Sequence, residues 1–271
     1  MAFADQFRPL YRVLRRKIKN LIKLVKSFKY RNFVAKNHSS NEYIANLLVV
    51  KSPIYAHLAK ICVESFLFYN PKCSVVINVD SSTESAVSEA FRKVGKRRNL
   101  EIRNIGKNDE SWQNVKLSVI LNMQNTKEFF MDADLRWNGP MPLLDGITFF
   151  VNEFSLKDDP TYLKLLESSG WKSNKEFTMK NTSFFFWGDY KPIDEDLLFI
   201  NQAMDKIKQV CNQGSIPPED SVSIIRISEQ IALSVLVDVK NLEVNFLKKV
   251  DGYRDGLFVE SSYFGATGSA F

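Results

Sequence analysis

The stretch Glu128-Phe129-Phe130-Met131-Asp132-Ala133-Asp134 is an apolar run that ends on two carboxylates one residue apart. Consecutive large apolar side chains are typical of a strand covered on both faces, so we expect residues 129–131 to end a buried strand. Side chains two positions apart on an extended chain point to the same side, which places Asp132 and Asp134 roughly 6.6 Å apart along it. Such a pair suits a hard divalent cation together with phosphate oxygens. Because Asp-x-Asp is also common in solvated turns, both interpretations stay open here.

The composition is that of a folded globular protein. Of the 271 residues, 45% are hydrophobic, and 21 Phe against only 11 Gly and 9 Pro indicate a ring-rich core and exclude disorder as the main state. Three cysteines without a Cys-x-x-Cys spacing favour reduced thiols in a reducing compartment. Since His38 and His57 are the only histidines, neither a zinc site nor a histidine-based triad is expected. We therefore predict a cytoplasmic protein.

The positive charge of the chain is confined to its first 37 residues. They hold eleven Lys and Arg against one acid, a net charge of +10, while the remainder carries −4, so no nucleic-acid partner is expected despite the basic pI of 9.0. Within residues 3–28, apolar side chains recur at steps of three and four with Lys and Arg between them, which predicts an amphipathic helix. Such a helix fits an anionic membrane surface, the body of the protein or a second copy. It is neither a transmembrane span nor a signal peptide, because charges interrupt every apolar run.

Strand and helix patterns alternate through residues 38–271, which we predict to be one α/β domain following an N-terminal segment 1–37. Alternation of this kind predicts parallel pairing, with the ligand site at the carboxyl ends of the strands. Ser52, Asp80, Asp132 and Asp134 all fall at strand exits and are expected to line one crevice. The predicted strands are Tyr43–Val50, Val75–Val79, Leu100–Ile105, 129–131, Ile147–Val151, 181–188, Leu242–Leu247 and Gly256–Phe264.

Helices are predicted between most of these strands, together with two irregular segments. Gly214–Ser221 is predicted to be a loop, and the polar segment 155–180 an insertion on the acceptor side that contains a short helix. Ser228 is the predicted N-cap of a late apolar helix. The other predicted helices cover residues 55–69, 84–94, 111–123 and 195–210.

This ordered set of residues resembles the GT-A glycosyltransferases, the nucleotide-diphospho-sugar transferase fold, over roughly residues 43–265. The resemblance implies a Rossmann-like mixed, mostly parallel sheet flanked by helices, here with an N-terminal amphipathic helix. It also implies transfer of a sugar from a nucleotide diphosphate, by default a UDP-sugar, to a glycan or lipid-linked acceptor. The motifs that carry it are Ser52-Pro53 after the first strand, Asp80 after the second, Phe-Phe-Met-Asp-Ala-Asp at 129–134, Asn181-Thr182-Ser183 and Glu229-Gln230.

The resemblance implies roles for the residues at the strand exits. Asp134 would be the direct ligand of Mn²⁺ or Mg²⁺, and Asp132 would contact the ribose or the waters of the metal. A bound cation stabilises the negative charge that develops on the leaving diphosphate. Lys116, on the helix before the motif, could neutralise a diphosphate if it faces the crevice. The predicted donor-binding residues are Val50, Ser52, Tyr55, Asp80, Lys116, Asp132, Asn181 and Ser183.

The predicted catalytic residues come from the second half of the chain. The family-eight type of these enzymes has an Asn-x-Gly strand entrance and an Asp-Gln helix start near the acceptor, and residues 181–183 and Glu229-Gln230 look like their counterparts. An inverting enzyme needs a carboxylate to take the acceptor proton, for which Glu229, Glu153 and Asp238 are candidates, whereas a retaining enzyme can use the leaving phosphate. We predict Glu229, Gln230 and Glu153 as the catalytic set.

One departure and two alternatives accompany this prediction. The family-eight type usually supplies a third metal ligand from a C-terminal His-Gly, whereas this chain has Tyr263-Phe264-Gly265. A nucleotidyltransferase also uses two carboxylates and Mg²⁺, but the Gly-Ser or Gly-rich phosphate loop that it usually needs is not in the sequence. The third hypothesis is a non-catalytic, membrane-associated scaffold in which the acids are residual.

Overall fold

The computed structural model describes residues 42–92, 99–106, 110–123, 126–137, 140–150, 152–155, 160–171, 178–214, 216–247 and 259–261. All of them belong to one unit, Ser40–Phe271. The predicted amphipathic helix at residues 3–28 and the tail Tyr263-Phe264-Gly265 lie outside the described residues. No helix in the described ranges is long and apolar enough to cross a bilayer.

Strands and helices alternate from residue 44 to residue 131, as the sequence predicts, whereas later several strands and then three helices follow one another directly. The strands are β1 Ile44–Val49, β2 Ser74–Val79, β3 Leu100–Asn104, β4 Glu128–Met131, β5 Leu135–Trp137, β6 Ile147–Phe149, β7 Asn152–Ser155, β8 Thr178–Lys180, β9 Phe184–Phe186, β10 Val244–Phe246 and β11 Val259–Ser261. The helices are α1 Tyr55–Tyr69, α2 Glu84–Phe91, α3 Trp112–Leu121, α4 Pro160–Ser168, α5 Asp194–Asn212, α6 Pro218–Arg226 and α7 Ser228–Val239.

Seven strands form one mixed sheet in the order β10-β6-β9-β4-β1-β2-β3. Strand β9 runs antiparallel to both of its neighbours, and every other pair in the sheet is parallel. Two small antiparallel ribbons, β5–β11 and β7–β8, lie outside this sheet. The predicted α/β class with a mixed, mostly parallel sheet is therefore confirmed.

Helices cover both faces of the sheet, because successive side chains along its strands point alternately into two apolar cores. Leu47, Ile77 and Phe129 face the core that α1 and α2 complete, where Phe129 packs edge-on against Phe66 with ring centroids 5.6 Å apart. Phe130 faces the opposite core, which contains residues of α3, α5 and α7. Consecutive aromatic residues in β4 are therefore buried on opposite faces. This agrees with the expectation that the apolar run belongs to a strand covered on both faces.

Two expectations are corrected by the structure. Ser228 is not an N-cap: it is the first residue of α7, it is fully buried, and its side chain makes no capping hydrogen bond. The predicted loop 214–221 contains the start of α6, with Pro218 in the first helical position, where its fixed φ suits a helix. The segment 155–180 does contain the expected short helix, α4, and ends in β8. Its predicted location on the acceptor side stays a prediction.

Gly188 and Gly146 bring two backbone segments into unusually close approach. Gly188 has a φ of +64°, and a Cβ added there would lie 2.6 Å from the carbonyl carbon of Gly146. We expect Gly188→Ala to lower the free energy of unfolding by about 2–4 kcal/mol, since it adds a backbone clash to the cost of a left-handed conformation. Urea-induced unfolding would measure the change.

Gly214 provides the matched control for this prediction. Its φ is +71°, but no heavy atom of the described residues outside its chain neighbours lies within 4 Å of an added Cβ. Gly214→Ala should therefore cost only the conformational term, about 1 kcal/mol. Equal losses in the two variants would show that the contact between the glycines does not matter.

Candidate functional site

The carboxyl ends of β1, β2 and β4 meet at one edge of the sheet, where the direction of chain progression reverses. From β1 the chain proceeds outward to β2 and β3, and α3 then returns it to β4 on the other side of β1. Asp80 follows β2, and Asp132 and Asp134 follow β4. Crevices at such switch points are where open α/β sheets bind ligands. The sequence-based expectation that these acids share one edge agrees with this topology.

A buried lysine links the end of β4 to the start of α7. The ammonium nitrogen of Lys116 lies 3.0 Å from Oδ1 of Asp132 and 3.4 Å from Oε1 of Glu229, and only 3% of its side chain is exposed. It also lies 5.1 Å from the ring centre of Phe130, over the ring face. Lys116, Asp132 and Glu229, here called the charged cluster, therefore join three elements at the carboxyl edge.

The charged cluster carries one positive and two negative side chains in largely dry surroundings. Burial alone would lower the pKa of Lys116, but the carboxylates of Asp132 and Glu229 outweigh it and raise that pKa, so the ammonium is held protonated. Burial raises the pKa of Glu229, and the charge of Lys116 offsets only part of this. The second carboxylate oxygen of Glu229, Oε2, is buried and has no hydrogen-bond partner in the described part of the chain. This oxygen could accept a hydrogen bond from a bound molecule.

Asp132 and Asp134 offer oxygen donors that fit a divalent cation. Burial and the negative charge of Asp132 raise the pKa of Asp134 to about 6, so the two carboxylates repel each other, and a cation would relieve that repulsion. The Asp132 side chain is 27% exposed and so still accessible. Among the described residues, no group of three or more His, Cys, Asp and Glu side chains could hold a metal ion. A cation here would need further ligands from water or substrate.

Asp80 is committed to the loops that follow β1 and β2. Its Oδ1 accepts hydrogen bonds from the backbone and hydroxyl groups of Ser82 and Thr83, and its Oδ2 accepts one from the backbone N–H of Lys51 at 2.8 Å. Burial would raise the pKa of Asp80, but these hydrogen bonds outweigh it and lower that pKa. Lys51 itself has a φ of +66°. Asp80, which follows the neighbouring strand β2, thus holds in place the strained turn at the end of β1.

The other predicted donor-binding residues of the first strand lie around this exit. Val50 is buried, Ser52 is half-buried, and Tyr55, the first residue of α1, is 42% exposed. The backbone N–H of Ser52 donates to the carbonyl of Val50 at 2.8 Å, and that of Tyr55 donates to the carbonyl of Ser52 at 3.3 Å. These bonds form a tight turn into α1 that leaves the Tyr55 ring accessible. Donor binding by these residues stays a prediction.

The polar entrance of β9 contacts both β4 and α7. The backbone carbonyl of Ser183 accepts a 2.7 Å hydrogen bond from the N–H of Asp132, while the Asn181 side chain accepts one from the N–H of Ser183. Oε1 of Gln230 accepts from the N–H of Thr182 at 3.0 Å and from its hydroxyl at 3.3 Å. Gln230 therefore positions this entrance with its carbonyl oxygen, and the predicted catalytic role of Gln230 is untested.

Thr182 is the member of the site that sequence reasoning missed. It is fully buried, and besides its bonds to Gln230 its hydroxyl lies 3.5 Å from Oε1 of Glu229. A signal for it existed, since it stands between Asn181 and Ser183 at the start of an apolar strand. Its partners lie nearly fifty residues away in sequence, and that distance hides the contact from local patterns.

One of the predicted proton acceptors, Asp238, is not brought to the charged cluster. Asp238 is nine residues after Glu229 on α7, about 13 Å further along the helix axis. Its electrostatic effect falls on Lys180, whose pKa burial lowers and Asp238 partly restores. Glu153 lies in β7, and its side chain is outside the described part of the structure. Glu229 is thus the one candidate that the described structure places in the cluster.

The chain is structurally similar to several glycosyltransferases, while no protein-family model and no curated protein matches it. A galactosyltransferase, LgtC, solved with donor and acceptor sugar analogues, is 11% identical with a TM-score of 0.47, covering 71% of this chain and 70% of that one. Mouse xyloside xylosyltransferase 1 is 9% identical with a TM-score of 0.45, covering 80% and 92%. GlyE of Streptococcus pneumoniae TIGR4 is 8% identical with a TM-score of 0.46, covering 77% and 46%. At such low identities, residue roles have to be argued from this chain itself.

Proposed function

We propose that the protein is a metal-dependent glycosyltransferase that moves a sugar from a nucleotide-diphosphate donor, a UDP-sugar, to a glycan or lipid-linked acceptor. The observation that carries the proposal is the charged cluster beside Asp134 at the switch point of the sheet. The basic segment 3–28 would bring the enzyme to an anionic membrane surface, where lipid-linked acceptors reside. Localisation would then be cytoplasmic and peripheral to the membrane.

Asp132 and Asp134 are proposed to hold the cation, Mn²⁺ or Mg²⁺. A divalent ion bound there supplies charge stabilisation for the leaving diphosphate. Lys116 contributes in two ways: it fixes the Asp132 carboxylate with bonds of 3.0 and 3.3 Å, and its charge partly neutralises the pair of acids. A cation with only two protein carboxylates, one of them shared with a lysine, is expected to bind weakly without the donor. The diphosphate would then complete the site.

The donor is proposed to lie along the exits of β1 and β2. Tyr55 presents an accessible ring beside the tight turn at Ser52, which suits a planar base. Asp80 has its Oδ1 filled by Ser82 and Thr83, so its main effect is to hold the turn through the N–H of Lys51. Nucleotide binding by Val50, Ser52, Tyr55 and Asp80 thus depends on loop geometry more than on charge.

Glu229 is proposed to face the sugar that is transferred. Its Oε1 is engaged by Lys116 and Thr182, whereas Oε2 is buried without a partner in the described chain, and an unmet buried acceptor is costly. A substrate hydroxyl donating to Oε2 would remove that cost. Gln230, next in sequence, orients the β9 entrance and so the position of Asn181 and Ser183.

A thermal-shift panel tests the proposal. UDP, GDP, ADP and CMP would each be added with and without Mn²⁺ to the wild type and to Asp134→Asn. We expect one nucleoside diphosphate to raise Tm only with Mn²⁺, and the rise to vanish in Asp134→Asn. Binding to the native state alone stabilises it by about 2.7 kcal/mol at a hundredfold excess over Kd. Asp189→Asn, at an exposed acid just after β9, should behave as the wild type.

The other outcomes of the panel identify the competing functions. When nucleoside triphosphates are added to the panel, a shift with one of them, accompanied by release of pyrophosphate, would indicate a nucleotidyltransferase that uses the same two carboxylates. No shift with any nucleotide and any divalent ion would favour a scaffold whose acids are residual.

A further inference from the structure

One half of the sheet carries polar side chains on a face where a parallel sheet is normally apolar. On β1 and β2, Leu47 and Ile77 point into the core under α1 and α2, so Asn46 and Asn78 point to the opposite face. Asn78 pairs directly with Arg103 of β3 on that face. Helix α3 contacts β1 and β4. A cavity of about 320 Å³ lies between α3 and this polar face.

Asn46 is the residue in this cavity without a structural explanation. The residue is only 5% exposed, yet its Nδ2 donates no hydrogen bond within the described structure. Asn78 provides the contrast, because its Nδ2 donates to the carbonyl of Leu47 at 3.0 Å. A buried donor left unmet costs folding free energy, which an apolar residue at this position would avoid. A bound partner would account for keeping an amide there.

The lining of the cavity defines the chemistry of that partner. Ser118 of α3 adds a hydroxyl, Asn122, the residue after α3, adds a third side-chain amide, and Val115 and Val119 add a small apolar wall. The described lining holds one guanidinium, that of Arg103, which is already paired with Glu101 at 3.0 Å, and two carboxylates, so the net charge does not favour an anion. A surface that offers many donors and acceptors beside a small apolar patch suits a neutral, polyhydroxylated ring. The volume lies at the lower end for small-molecule sites, as a single sugar ring requires.

We propose that this cavity binds one sugar ring of a neutral glycan, through Asn46 and the amide and hydroxyl groups around it. The lining of the cavity does not include Asp132 or Asp134, although it reaches Asn78, near the end of β2, and Ile105, just after β3. Its floor includes Glu128, the first residue of β4, whereas Asp132 follows the last, about 13 Å further along the strand. The binding proposed here therefore requires neither the cation nor transferase activity.

Saturation-transfer difference NMR on the full-length protein tests this, with galactose, glucose, N-acetylglucosamine and lactose as probes. We expect at least one of them to bind with a Kd in the millimolar range. Asn46→Leu should weaken that binding at least tenfold while Tm stays equal to or above that of the wild type, because it removes an unmet donor. Asn122→Ala, at the exposed rim, should weaken binding without a folding defect, and it carries the test if Asn46→Leu does not fold.

Two further variants separate this cavity from other sites. Ser85→Ala, on the exposed surface of α2 over the other face, should bind as the wild type does. Asp134→Asn should also retain binding, because it alters the carboxyl edge alone. The proposal is overturned if none of the sugars binds at concentrations about tenfold above the millimolar range. A buried water that accepts a hydrogen bond from Asn46 would then explain the amide. It is equally overturned if Asp134→Asn loses binding while Asn46→Leu keeps it.

Discussion

Lys116→Met is expected to lower the free energy of unfolding by about 3–5 kcal/mol at neutral pH, as measured by urea-induced unfolding. Methionine preserves the length and apolar stem of the lysine but removes the charge that Asp132 and Glu229 share. Glu229 is the costly member, because its side chain is only 2% exposed and would be left without a counterion. Breaking a buried ion pair on one side is more damaging than replacing both partners.

The loss should depend on pH in a defined direction. Without Lys116, the folded-state pKa of Glu229, already raised by burial, rises further above its unfolded value of about 4.3. The folded variant then binds a proton that the unfolded chain releases, so its stability relative to the wild type falls as pH rises above about 4.3. Below that pH the difference between the two proteins should shrink.

Two variants check the assignment to the charged cluster. Lys116→Met combined with Glu229→Gln should recover much of the loss, because no unpaired carboxylate remains at that position. Lys208→Met removes a half-buried lysine that donates to Asn114 at 3.1 Å, and it should cost less than about 1 kcal/mol with no comparable pH dependence. A Lys116→Met protein as stable as the wild type at pH 8 would contradict the ion-pair interpretation.

The alternation of strand and helix patterns predicted the parallel direction of β1 to β4, because that part of the sheet is local in sequence, but it did not predict that β4 lies on the other side of β1. Strands β1 to β4 follow one another with single helices between them, so alternation alone implies their parallel pairing. The direction of β9 could not be predicted in the same way. Its three Phe residues show that it is buried, but its antiparallel course between β4 and β6 is set by the long connection through β7, α4 and β8. A run of apolar residues indicates that a strand is buried, but it does not indicate in which direction the strand runs.

The inward position of Lys116 has a local signal in the sequence. On a helix, Lys116 shares a face with Gln113 and Ile120, and all three are buried in the structure. The apolar residue at i+4 therefore indicated that this lysine points inward. Its partner Glu229 could not be found from sequence, because the pairing joins residues more than a hundred positions apart. Charge pairing over such distances leaves no periodic signal.

Asp134→Asn is expected to reduce release of UDP from a UDP-sugar by about 10³-fold in the presence of Mn²⁺, the equivalent of roughly 4 kcal/mol of transition-state stabilisation. The change removes one of the two carboxylates proposed to hold the cation, and the remaining one, Asp132, is already bonded to Lys116. Turnover would be followed as nucleotide release over a range of Mn²⁺ concentrations. Asp189→Asn should leave both the rate and the Mn²⁺ dependence unchanged.

The same substitution should not destabilise the fold, and this distinguishes a functional acid from a structural one. Burial and the charge of Asp132 raise the folded-state pKa of Asp134 to about 6, above the value of about 3.9 for an unfolded chain, so its ionised form costs stability once pH exceeds the lower value. Asparagine removes that charge, and the unfolding free energy at pH 7 should equal or exceed that of the wild type. Loss of activity with retained or increased stability is expected where a strained group is kept for chemistry. Full activity in Asp134→Asn, or a large loss of stability, would remove Asp134 from the proposed metal site.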